Sequence, residues 1–261
     1  MIRFISVLFF ILLFSNPASS DQDSNEEMVF FPAGEFEMGS PEGIGKKNEH
    51  PKHKVYLSDF YLDRLEVTFA DFEVYLAANL KKHPTITGWV DRNARADMLN
   101  KPIFGLQWKR CGNYCGWRGK RIPTEAEWER AARGIDNRAY PWGNEEPDKT
   151  RANFGNCCFI QKGTVLSEVD HFDKGKTPEG ISNMGGNVAE WVSDWYDKKY
   201  YEKAPYKNPQ GPKKGKYHVI RGGAWNSLPM NLRPPSRYGD SDGKDYYGIG
   251  CRCAKDANPP Y

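Results

Sequence analysis

Apolar and polar positions change period several times along this chain, and each change marks an element. In MVFFPAGEFEMGS (28–40) a short apolar run meets a Pro-Ala-Gly turn, after which Phe36 and Met38 alternate with Glu35 and Glu37. That pattern predicts two strands joined as a hairpin. HKVYLSDFYLDRLEVT (53–68) alternates again and predicts further strand. Thr68 and Asp71 are then spaced as a capping box, which opens a helix near 69–80. A second helix is expected near 107–117, and RIPTEAEWERAARG (121–134) opens a third. There Thr124 caps, Glu127 stands at the reciprocal position, Ala126, Trp128, Ala131 and Ala132 give the buried face, and Gly134 supplies the stop. Beyond 134 the pattern is irregular through YPWGNEEP (140–147), RANFGNCCF (151–159) and NMGGNVAEWVSDWY (183–196). Short strands are expected at YHVIRGGAW (217–225) and GIGCRCAK (248–255).

The first residues belong to a different pattern. Arg3 precedes an apolar run from Phe4 to Phe14, and the small residues Ala18 and Ser20 follow at signal-peptidase spacing. The run is too short for a membrane-spanning helix, which needs about 20 apolar residues. The expectation is a cleaved signal peptide at 1–20, an acidic linker at 21–27, one domain over 28–256 and a tail at 257–261. The product would be secreted or periplasmic, with no membrane span left after cleavage.

Composition narrows the class further. The 37 basic and 34 acidic residues nearly cancel and are dispersed, which argues against a nucleic-acid partner. With 25 glycines and 18 prolines, turns and loops dominate, and eight tryptophans and fourteen tyrosines are left to fill the core between them. The five histidines form no metal or triad pattern: His50 and His53 sit at a strand entry, and His171 stands beside Asp170 and Asp173.

Six cysteines in an exported chain predict disulfides. Cys111 and Cys115 share one face of a predicted helix, and Cys251 and Cys253 share one face of a predicted strand, so two parallel rungs between helix and strand are geometrically open. A four-thiolate zinc site is the competing arrangement, although the spacing is not that of a zinc ribbon. The adjacent Cys157 and Cys158 are read either as a vicinal disulfide or as thiols. NMGGNVAEW concentrates side-chain amides, glycine turns and a carboxylate, a donor set suited to a hard cation, although Asn187 and Glu190 are also residues that tie turns by hydrogen bonds.

MVFFPAGEFEMGS, FYLDRLEVT, YCGWRGKRIPTEAEWERAAR, YPWGNEEP, NMGGNVAEWVSDWY, VIRGGAW and GCRCAKD follow one another in the order found in formylglycine-generating enzymes, also called sulfatase-modifying factors. Over 28–256 the chain resembles that family. The resemblance implies an α+β fold, a single irregular, loop-rich domain related to C-type lectins. It also implies structural calcium at Asn183, Gly186, Val188 and Glu190, with a second, weaker set at Asn153 and Phe154, whose acidic ligand has no clear counterpart. It pairs Cys115 with Cys253, which leaves Cys111 for Cys251.

Catalytic members oxidise a substrate cysteine with dioxygen and a copper ion held by two cysteines, thiolate being the soft ligand that copper(I) prefers. Aligned on the Gly-Gly turn of RGGAWNSLPMNLRPP (221–235), those two positions carry Ser227 and Leu232, and a family serine is replaced by Ala224. Copper is therefore not expected, and no catalytic residue is assigned. A ligand cleft is expected around Trp225, Ser227, Arg233, Arg237 and Tyr238, although the two arginines have Asp240 and Asp242 as alternative partners. Two functions remain: an accessory domain that binds a peptide, glycan or protein, and an oxidoreductase of the same family acting on an exported protein or metabolite with different residues.

Overall fold

The computed structural model describes residues 27–79, 96–156, 165–241 and 248–258. The expected signal peptide, the linker up to residue 26 and the Cys157–Cys158 pair lie outside the described residues.

The opening strands form where the alternation places them, as β1 (Met28–Phe31) and β2 (Gly34–Met38). They do not form a hairpin. β1 pairs with β4 (Phe60–Asp63), and β2 pairs with β3 (His53–Leu57), both antiparallel. The reason is local: tight two-residue hairpin turns need a positive φ at their first central position, and the connection here begins with Pro32, whose ring fixes φ near −65°. β4 also pairs with the last strand, β9 (Ala254–Asp256), which closes a three-stranded sheet in the order β1-β4-β9.

The second major sheet has the order β7-β6-β5-β8, built from β5 (Ala189–Trp195), β6 (His218–Arg221), β7 (Arg237–Asp240) and β8 (Ile249–Gly250). β5 is its centre, antiparallel to β6 and parallel to β8. Its first four residues are all buried, so it carries no alternation, and the sequence pattern alone left it irregular.

Among the described residues, three α-helices complete the frame: α1 (Phe69–Asn79), α2 (Trp108–Trp117) and α3 (Glu125–Arg133). Both capping boxes form. Thr68 and Asp71 exchange bonds, with Asp71 N–H donating to Thr68 Oγ1 at 3.1 Å and Thr68 N–H to Asp71 Oδ2 at 3.1 Å. In α3, Thr124 Oγ1 accepts from Glu127 N–H at 3.2 Å and Glu127 Oε2 accepts from Thr124 N–H at 2.8 Å, while Gly134 ends the helix with φ 69°. α3 packs against β2, β3, β5 and β6, and its Trp128 is completely buried between the sheets.

The cysteines form two disulfides, Cys111–Cys251 and Cys115–Cys253, with Cα separations of 5.7 and 5.6 Å. They stack side by side, Cys115 Sγ lying 3.9 Å from Cys251 Sγ, and all four are fully buried. The helix supplies one side of the rungs as expected, but Cys251 and Cys253 lie in the extended link between β8 and β9 rather than on one strand; the zinc alternative has no free thiolate among these four.

Candidate functional site

The Gly-Gly pair after β6 turns the chain with φ 88° at Gly222 and 72° at Gly223. A side chain at Gly222 would also meet the Trp128 ring at 3.1 Å, so the position requires glycine on two counts. The following turn is locked to the rest of the molecule: Trp225 N–H donates to Asn187 O at 2.9 Å, Asn156 N–H to Trp225 O at 2.8 Å, and Gly155 N–H to Ser227 O at 2.9 Å. Ser227 Oγ accepts from Ala224 N–H at 2.9 Å. The result is a cavity of about 240 Å³, walled by Gly223, Ala224, Asn226, Ser227, Asn231 and Tyr238, with Ile249 of β8 among the remaining residues.

Two of the five expected cleft residues, Ser227 and Tyr238, line this cavity. Trp225 lies beneath it, buried and edge-on to Phe104 at 6.1 Å. Arg233 reaches Ser40 Oγ at 3.2 Å and the Glu49 carboxylate at 3.1 Å. Arg237 is completely buried on Glu125, at 2.6 and 2.7 Å. The two arginines pair with Glu49 and Glu125, and Asp242 lies outside the described residues. Neither lines the cavity: Arg237 is a buried guanidinium matched by a carboxylate, and Arg233 is partly buried on Glu49. Leu232 is fully buried against Tyr140, Ala152 and Phe154, turned into an apolar cluster.

Tyr238 links the cavity to a distant loop. Its hydroxyl donates to Asn231 Oδ1 and accepts from Lys46 Nζ, and that ammonium sits 3.8 Å from the ring centroid. Lys46 was not legible as a site residue, since it arrives from a loop 192 positions away in sequence.

A buried polar layer holds the expected calcium residues. Asn183 and Asn187 adopt left-handed backbone, φ 56° and 60°, and both amides donate to Glu66 Oε2, at 2.8 and 3.0 Å. Burial, with the Glu190 charge nearby, pushes the Glu66 carboxyl up to about 8 against the opposing pull of Arg252. Glu190 accepts from Arg252 at 2.7 Å and from Trp128 Nε1 at 2.7 Å. Arg252 continues to Asp63 O and Ser182 O, at 3.0 and 2.8 Å. An ion at this turn would therefore share Glu190 with Arg252, drawing its other oxygens from Asn183, Gly186 and Val188. The turn is buried and oxygen-rich, which fits a hard cation.

The Asn153 and Phe154 pair fits less well. Phe154 O accepts from Lys149 Nζ, which also approaches Asn156 Oδ1 at 3.2 Å, and Asn153 Oδ1 accepts from Asn156 Nδ2 at 2.6 Å. The Lys149 ammonium thus brings its own positive charge to these oxygens, and an ion would have to compete with it, as it would with Arg252 for Glu190.

The described histidines take packing or surface roles. His218, which sequence reasoning passed over, is stacked between Trp108 at 3.9 Å and Trp195 at 3.7 Å. His171 packs edge-on to Phe172, and His50 and His53 bond nearby carbonyls.

These features define a class: an α+β, C-type-lectin-like scaffold whose Gly-Gly turn builds a small, mostly apolar cleft with a few polar groups. The chain belongs to the sulfatase-modifying factor family, the sequence profile of the Sulfatase-modifying factor enzyme 1-like domain matching residues 13–257. It is 31% identical over 285 residues to a formylglycine-generating enzyme of Streptomyces coelicolor, covering 90% of this chain and 91% of that protein. It is 37% identical over 245 residues to the serine/threonine-protein kinase pkn1 of Chlamydia caviae, covering 88% of this chain but only 38% of that protein's length. The solved structure of PvdO from Pseudomonas aeruginosa superposes with a TM-score of 0.71 and 26% identity, over 88% of this chain and 94% of that one.

Proposed function

We propose that this protein is an exported, non-oxidising member of its family, which uses the Ser227 cavity to hold a segment of a polypeptide partner. The observation that carries the reading is the pair of residues at the family's copper positions. Ser227 offers a hydroxyl already bonded to Ala224 N–H, and Leu232 is buried in the Tyr140 cluster. Copper(I) takes soft sulfur ligands, and neither residue supplies one. A concave, partly polar cavity of about 240 Å³ is small for a drug-sized ligand but accommodates one or two side chains of an extended peptide.

Calcium belongs to the same reading. Asn183, Gly186, Val188 and Glu190 would hold it, and it would supply fixed positive charge there.

A second reading, an oxidoreductase with a different residue set, draws on the likeness to the Streptomyces enzyme over nearly its whole length. One experiment separates the two. Purified protein, offered copper(I) and a cysteine-containing peptide, should neither bind copper tightly nor consume dioxygen. Peptides selected from a random display library should bind the same protein and lose affinity when the cavity is filled by Asn226→Trp. Dioxygen uptake coupled to peptide oxidation would end the binding-only reading.

A further inference from the structure

A second cavity, of about 480 Å³, lies beyond Lys46 and is lined by Lys46, Lys47, Asn48, Tyr196, Lys198, Lys199 and Glu202. Four lysines face one carboxylate there, in a chain whose basic and acidic residues otherwise nearly cancel. Lys47, Lys198 and Lys199 are exposed, and among the described residues none of them has a carboxylate partner. Uncompensated charge is thus concentrated in one concave place, where low-dielectric walls focus its field.

The two lysine-bearing segments are held by one buried group. Arg237 Nη1 donates to Asn48 O at 3.1 Å and to Asp197 O at 3.1 Å, while its other nitrogens bind Glu125. The guanidinium is neutralised by Glu125 and serves as a clamp that fixes both walls. Asn48 Nδ2 donates to Tyr196 Oη at 2.8 Å, so that hydroxyl keeps its own proton to offer a ligand. Lys199 N–H donates to Asp197 Oδ1 at 2.9 Å and sets the turn that carries Lys198 and Lys199. The backbone beneath the lysines is therefore ordered before any ligand arrives, which lowers the cost of binding.

The chemistry selects among anions. A single phosphate is best held by converging backbone N–H groups or a planar arginine fork. Here flexible ammonium groups are spread around a space much larger than one phosphate, which suits several carboxylates carried on one chain. Lys46 joins this bowl to the Ser227 cavity, because its ammonium contacts Tyr238 and lies 3.4 Å from Asn231 Oδ1, both lining residues of that cavity. We propose that the lysine bowl binds an acidic stretch of the partner polypeptide, flanking the residues that enter the Ser227 cavity. The proposal rests on the peptide-binding reading of that cavity and names the charge of its partner.

Fluorescence anisotropy with a labelled oligoglutamate, and with oligoglutamine as the neutral control, tests the bowl directly. Oligoglutamate should bind in low salt and weaken as salt is raised, and oligoglutamine should not bind. The triple variant Lys47→Glu/Lys198→Glu/Lys199→Glu should weaken oligoglutamate binding about tenfold or more, with the triple Lys→Gln variant in between, both retaining the native circular dichroism spectrum. Equal affinity of wild type and triple variant, or displacement of the probe by inorganic phosphate at matched ionic strength, would overturn the proposal. A library-selected peptide separates its failure from failure of the cavity reading. Affinity lost in both Asn226→Trp and the triple lysine variant supports the two together. Loss in Asn226→Trp alone sinks the bowl and keeps the cavity; loss in the lysine variant alone sinks the cavity and keeps the bowl.

Discussion

Asp194 shows how much of this molecule's pH response rests on single buried residues. It is 2% exposed, accepts from Glu125 N–H at 2.8 Å and from Ser193 Oγ at 3.0 Å, and among the described residues forms no ion pair. Burial, reinforced by the Glu125 charge, pushes its carboxyl up to about 7, from an ordinary value near 4. The folded state therefore holds a proton there that the unfolded chain has released, and the stability from Asp194 is full below about pH 4 and lost as pH rises through about 7. Asp194→Asn keeps an acceptor and cannot ionise. Its stability relative to wild type should rise between pH 4 and pH 7 by a few kcal/mol, read by urea denaturation across that range. A difference that stays flat with pH would show that Asp194 is ionised in the folded protein.

At the scale of elements, α3 and the buried turn before β5 make the testable units. The Thr124 capping box satisfies two N–H groups that the first turn of α3 would otherwise leave without partners. Thr124→Ala should cost about 1 kcal/mol, a fall in Tm of about 2–4 °C by scanning calorimetry, and an unchanged Tm would mean that tertiary packing alone holds the helix start. The turn at 183–190 gives the second test. If calcium is held there by Asn183, Gly186, Val188 and Glu190, removal by a chelator should lower Tm by about 5–10 °C, and calcium should restore it where magnesium does not. An identical Tm with and without chelator would leave Arg252 as the cation that balances Glu190.

These same elements show what the amino-acid pattern carried. α3 was legible because its cap, buried face and stop are all local, and the stretch from Thr124 to Gly134 contains every signal it needs. β5 was not, because burial on both faces erases alternation. The strands at 28–38 were legible and their partners were not, since strand pairing is decided by residues 15 to 35 positions away and by the φ of Pro32. Within the site, Ser227 and Tyr238 were found from the motif they follow. Lys46, Glu66 and Arg252 reach the same region from distant segments, and no local spacing marks them.

On the scale of the whole molecule, the two disulfides set the long-range order. Cys111–Cys251 spans 140 residues and Cys115–Cys253 spans 138, and the second rung lies within a few residues of the first. In the chain-entropy account the first link contributes about 5 kcal/mol and the second, closing a loop of about eight residues, about 2.5 kcal/mol. Removing either pair alone, by Cys111→Ser/Cys251→Ser or Cys115→Ser/Cys253→Ser, should therefore cost about 2.5 kcal/mol. Removing both should cost about 7 kcal/mol, more than the two single losses together. Urea denaturation of the three variants reads the difference, and simple additivity would show that the rungs act by packing rather than by restricting the unfolded chain.

The double latch also decides how this protein fails when it is cut. More than half of the chain lies inside the covalent ring from Cys111 to Cys251. A protease that cleaves between residues 118 and 248 linearises that ring without freeing a piece, so the two halves stay tethered at α2 and at the strands around 250. Damage of this kind adds only the mass of a water, and no fragment separates until a reductant is added. After a cut before residue 189, every wall of the Ser227 cavity belongs to the C-terminal piece, which the two disulfides keep on the N-terminal one.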